Sequence, residues 1–156
     1  MTDKDYSKAA KEYFAQIRKT DRLIQRLTNT VATLRSSLTS QNYALNPNKV
    51  QSSRKTDQMS ETVAKIADFE TEINTRIDEL IDLKRDAFTR INKVPDLDQQ
   101  NVLVGRYIQM KEWDDIAIEF NFSTQWMFEI HGRGLLSFAE ENREFLDTRV
   151  KASCTG

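Results

Sequence analysis

The stretch Trp113-Asp-Asp-Ile-Ala-Ile-Glu-Phe-Asn-Phe-Ser-Thr-Gln-Trp-Met127 decides the fold. It predicts a short amphipathic helix over Trp113–Phe120 with Ile116 and Ala117 on its inner face. Asp114 and Asp115 stand in the first turn, where the helix dipole favours negative charge. Asn121 occupies the place of a left-handed turn residue, Phe122 plugs the corner, and Ser123 caps the next helix. This is the spacing of a helix-turn-helix, whose second helix is normally the one presented to a DNA groove.

Outward from that centre, Ser123 starts a helix with Met127, Ile130, Gly134 and Phe138 on its buried side. The helix is expected to continue to about Thr148, with Phe145 extending the stripe. Gly132 and Gly134 each cost about 1 kcal/mol in a helix interior, so a bend or break is expected there. With Met127 and Ile130 turned inwards, Thr124, Gln125, Phe128, Glu129 and Gly132 share the opposite face. Gln125 suits bidentate pairing with adenine. Arg133, one turn on, is placed to reach a phosphate, and Arg106 and Lys111 are further candidates for holding the DNA backbone. Trp126 is compatible with core, with a partner anchor or with half-exposure. Together with Phe128 it would equally suit a protein-binding patch.

Towards the N-terminus, a helix is expected from about Asp5 to Ser40. Ile17, Ile24, Leu27, Val31, Leu34 and Leu38 recur at coiled-coil steps, and Tyr6, Ala10, Tyr13 and Thr20 extend the stripe backwards. A polar loop is expected over about 41–57, with Lys49, Arg54 and Lys55 as a basic cluster that could touch nucleic acid. A second long helix follows over about 58–92, with Met59, Val63, Ile66, Ile73, Ile77 and Leu80 on its seam. The seam then shifts one place through Ile81, Phe88 and Ile91, a stutter. Val94-Pro95 ends this helix, and Asp96 caps a third over about 97–109, with Leu103 and Tyr107 inwards.

The expected class is therefore all-α, in two domains. Residues 1–94 form a long antiparallel, coiled-coil-like hairpin and residues 95–150 a small helix-turn-helix domain, followed by a disordered tail over 151–156. Dimerisation through the same seams is the competing arrangement, and the sequence leaves both open.

Composition restricts function. Of the 156 residues, 30% are charged, and there are only four Gly and two Pro, a profile of solvated helices. No apolar run approaches the roughly 20 residues of a membrane span. The N-terminus has no signal-peptide pattern, so a cytoplasmic protein without membrane contact is expected. Cys154 is the only cysteine and His131 the only histidine, which leaves no disulfide framework and no spaced ligand set for a metal. His131 is expected at the surface or in a hydrogen bond. No nucleophile-base pair or phosphate loop is present, so neither enzymatic chemistry nor a cofactor is expected. The net charge of −1 hides an asymmetry: residues 95–156 carry 6 basic and 11 acidic side chains, an awkward balance for a DNA-binding half.

At Trp113–Leu135 the chain resembles region 4 of bacterial sigma factors. There, a short helix with Ile-Ala and a capped turn precede a recognition helix ending in a small residue plus Leu, here Gly134-Leu135. The wider pattern comprises the long N-terminal helices, Val50-Gln-Ser-Ser, Arg106-Tyr107-Ile108, Trp113-Asp-Asp-Ile-Ala and Ile130-His-Gly-Arg-Gly-Leu. It resembles a family of small proteins of Gram-positive phages and prophages related to the ArpU/RinA-type regulators of late transcription. The resemblance implies control of phage late genes through promoter DNA, with or without RNA polymerase as a second partner. Three departures stand out. Relatives place Arg or Lys after the cap, where this chain has Thr124, Gln125, Trp126, Phe128 and Glu129. Glu112 stands where relatives tend to have Thr, a better N-cap. The C-terminal half is acidic.

Overall fold

The computed structural model describes residues 2–44 and 53–155, which are all-helical, with no strand among them. Two long helices, α1 (Asp3–Ala44) and α2 (Ser53–Ile91), precede α3 (Leu97–Leu103), a π-helical turn (Val104–Ile108), α4 (Trp113–Phe120), α5 (Thr124–Glu141) and α6 (Arg143–Cys154). Of the expected loop, residues 41–44 belong instead to α1 and residues 53–57 to α2. No Pro or Gly interrupts either stretch, so helix propagates through polar residues. Lys49 and the Val50-Gln-Ser-Ser motif, apart from its final Ser53, lie outside the described residues.

The chain divides into two compact units, residues 20–80 and residues 1–19 with 81–156. The expected boundary after residue 94 does not mark that division: Ile91 and Val94 are buried in the same unit as the C-terminal helices. In the 20–80 unit the α1 segment buries Leu27 and Val31 and the α2 segment buries Ile66. Arg35 and Glu70 are ion-paired there. Val63 and Ile77 stay exposed, as expected where a single layer of helices cannot enclose its own seam.

The other unit has a true core. Tyr13, Phe14, Ile17, Ile91, Leu103, Leu135, Phe138 and Leu146 are fully buried. Phe14 stacks on Tyr107 at 4.4 Å and tilts against Phe138 at 4.6 Å, close to preferred aromatic geometry. Tyr13 donates a hydrogen bond to Asp86 of α2, and Tyr6 donates to Asp147 of α6 at 2.7 Å.

The third helix begins as expected, with the Asp96 carboxylate accepting from the Gln99 N–H at 2.9 Å. It then loosens into the π turn, and Met110 closes the segment in the left-handed region at φ 57°. Neither glycine interrupts α5. Gly134 faces α3 closely enough that a Cβ there would lie 3.4 Å from the Cβ of Gln99. The small residue therefore sets a helix–helix spacing rather than a bend.

The break falls instead at Asn142, at φ −122° and ψ 28°. Its buried amide donates to the Phe138 carbonyl at 2.9 Å and to the Arg90 carbonyl at 3.3 Å. Asn side chains compete with helix hydrogen bonding in this way. The expected tail is also corrected: helix runs through Lys151 to Cys154, and the Thr155 hydroxyl donates to the Lys151 and Ala152 carbonyls.

Candidate nucleic-acid interface

The corner between α4 and α5 is built as its sequence dictates. Asn121 sits at φ 56° and ψ 42°, and its N–H closes onto the last turn of α4. Asn tolerates this conformation better than most residues. The Ser123 hydroxyl accepts from the Trp126 N–H at 3.1 Å and caps α5. Val102, Ile116, Ala117, Met127 and Ile130 form the buried cluster beneath, with Trp113, Phe120 and Phe122 packed around it. Met127 is fully buried and Ile130 nearly so.

Glu112 provides no side-chain cap for α4. Trp113 is held by other means. The Arg106 guanidinium lies 4.2 Å from its ring centroid, and Phe128 and His131 pack on it at 5.1 and 4.7 Å. The contacts between α4 and α5 thus replace a missing local signal with tertiary ones.

The face expected to be outward is outward. Thr124, Gln125, Glu129, Gly132 and Arg133 are exposed, and Trp126 and Phe128 retain 41% and 46% exposure. Glu129 and Arg133 pair at 2.6 Å, and the Arg133 guanidinium sits 5.5 Å from the Trp126 ring centroid. Arg133 therefore needs to leave one partner before meeting a phosphate.

The other two basic candidates are placed differently. Arg106 turns inwards: its side chain is only 12% exposed, it donates to the Lys111 carbonyl at 3.2 Å, and it lies 3.6 Å from Glu112. Burial holds its pKa below the ordinary arginine value. It braces Trp113 and is not presented to a ligand. Lys111 is ion-paired with Glu119. Of the lysine and arginine candidates, α5 presents Arg133 alone beside Gln125.

His131 lies behind this face. Its Nε2 shares a 2.8 Å hydrogen bond with the Tyr107 hydroxyl. Burial, then the nearby charges of Lys11 and Arg106, push its pKa down to about 4. The ring is neutral at physiological pH. Proximity of Lys11 on α1 to this part of α5 is not something periodicity in either helix announces. Arg18, also on α1, donates to the Arg106 carbonyl at 3.2 Å.

Among the described residues, no group of three His, Cys, Asp or Glu side chains is placed to hold a metal ion, and no helix is long and apolar enough to cross a membrane. Comparison with protein-family profiles, curated proteins and solved structures finds no match.

Proposed function

We propose that this chain is a non-enzymatic, cytoplasmic transcription regulator of the phage late-gene type, reading promoter DNA with α5. The single observation carrying the reading is the division of α5 into two faces. Met127 and Ile130 are locked under α4, while Thr124, Gln125, Phe128 and Glu129 are left to meet a ligand. A capped helix presented in this way, after a left-handed corner, is what groove entry requires. In this reading α1 and α2 are the arms of an antiparallel, coiled-coil-like hairpin.

Selection of bound fragments from a random duplex pool, with and without bacterial RNA polymerase, tests it. Enrichment of a defined sequence supports the reading. Gln125→Ala should then cost about 1–3 kcal/mol at one base position, and Arg133→Ala should weaken all sequences alike. Selection without enrichment under either condition refutes it.

A second reading is favoured by the two exposed aromatics. Here Trp126 and Phe128 anchor a protein partner, RNA polymerase being the first to try, and the chain acts as an adaptor. Half-exposed aromatic residues are frequent interface anchors. Polymerase binding that Trp126→Ala abolishes, with no duplex bound, selects this alternative.

A further inference from the structure

The hydrogen-bonding vocabulary of the exposed α5 face is narrow. Residues 124–132 contain no Arg or Lys, so the commonest sequence-specific contact, a basic side chain on O6 and N7 of guanine, is closed to them. His131 is committed to the Tyr107 hydroxyl, and Met127 and Ile130 are core. The short Thr124 hydroxyl discriminates little between bases. Two exposed side chains with the reach and the polar groups to read a base edge are left, Gln125 and Glu129. They stand one turn apart on the same side of the helix.

A carboxylate entering a DNA groove meets the negative field of the phosphates. Arg133 offsets that cost at Glu129. Its guanidinium donates to Glu129 Oε1 at 2.6 Å, in the favourable order with the acid four residues before the base. The same guanidinium lies 5.5 Å from the Trp126 ring centroid, so it is held from two sides. Among the described residues, no other group donates to this carboxylate, and the Glu129 side chain is 48% exposed. The carboxylate is thus neutralised at one oxygen and open to a donor at the other.

We infer that Glu129 selects cytosine, its Oε2 accepting from the N4 amino group in the major groove while Arg133 stays on Oε1. The inference rests on the proposed DNA-binding function and adds to it the base read at a second position. An ionised carboxylate only accepts hydrogen bonds. The major-groove edges of guanine and thymine offer it acceptors, and adenine sets the N7 acceptor beside its N6 donor, whereas cytosine offers the N4 donor alone. Gln125, with both a donor and an acceptor, suits adenine instead. Four residues of helix rise about 6 Å, close to two base-pair steps of about 3.4 Å. The adenine under Gln125 and the cytosine under Glu129 therefore lie within about two base pairs of each other.

The test uses the full chain and the duplex selected from the random pool, under whichever polymerase condition gives enrichment. The selected site should hold a cytosine within two base pairs of an adenine. Replacing that C·G pair by T·A, which puts an acceptor where the donor was, should weaken binding about tenfold, the low end for one hydrogen bond to a charged group. Repeating the selection with Glu129→Gln should change the preferred base at that position from cytosine to adenine, the partner of a carboxamide. Glu129→Ala should leave the position unselected, and Gln125→Ala should relax the neighbouring adenine only. Circular dichroism of each variant checks the fold.

A selected site without that cytosine, or enrichment of one and the same site by the unaltered protein and both Glu129 variants, overturns the cytosine assignment while the DNA reading stands. A uniform gain of affinity for every duplex on Glu129→Gln also overturns it, since the carboxylate would then only repel phosphate. If the unaltered protein enriches no sequence, the DNA reading and the cytosine assignment fall together.

Discussion

His131 should make stability depend on pH in a range where few other side chains titrate. The folded protein holds its imidazole at a pKa of about 4, lowered first by burial and then by Lys11 and Arg106, whereas an unfolded chain has the ordinary value near 6.5. The unfolded state therefore binds a proton first as pH falls. The stabilisation is complete above about pH 6.5 and drains away towards pH 4. Between about pH 7.5 and pH 5 these two values give a loss of about 2 kcal/mol. Urea unfolding at the two pH values, followed through Trp fluorescence, measures it. His131→Gln removes the titrating group, and that variant should be nearly flat over the same interval. Because this is the chain's only histidine, its single imidazole resonance provides a direct check and should not shift between about pH 7.5 and 5. A resonance titrating near 6.5, or an equal pH-dependent loss in the Gln variant, would refute the enclosed Tyr107–His131–Trp113 arrangement.

The two faces of α5 should respond oppositely to small substitutions. Met127→Ala removes a fully buried side chain and should cost about 2–5 kcal/mol, read as a lower urea midpoint. Gly132→Ala adds a methyl group with nothing within 4 Å of it. It should therefore raise stability by up to about 1 kcal/mol, detected as a higher midpoint with an unchanged denaturant slope.

What could be read from the residues alone was the part governed by local rules. Asn121, Ser123 and the Ile116–Ala117 and Met127–Ile130 pairs carry their roles in their type and spacing, and the corner they form is the expected one. Tertiary effects were not legible. Arg106 belongs to a residue class that ordinarily stays in solvent, yet the Trp113 ring and the Lys111 carbonyl turn it inwards. Asn142 carries an ordinary polar code, and its helix-breaking role depends on the Arg90 carbonyl 52 residues away. The seam of α2 predicts a buried stripe, but Ile81 and Phe88 remain exposed, because periodicity reports which residues share a face and not whether a partner covers it.

The acidic balance of the C-terminal half also changes meaning once its charges have places. On the exposed face of α5, Glu129 is matched by Arg133, so that face is close to neutral. Asp114 and Asp115 stand in the first turn of α4, and Glu140, Glu141 and Glu144 lie around the α5–α6 break. A net charge summed over sequence therefore overstates what a ligand at Gln125 would encounter, since exposed charges beyond about 8–10 Å are largely screened at physiological salt. Lys11 bears on the same helix from the other end of the chain. The field at α5 thus includes a charge that the linear count assigns to the opposite half, so the linear asymmetry is not by itself an argument against a polyanionic partner.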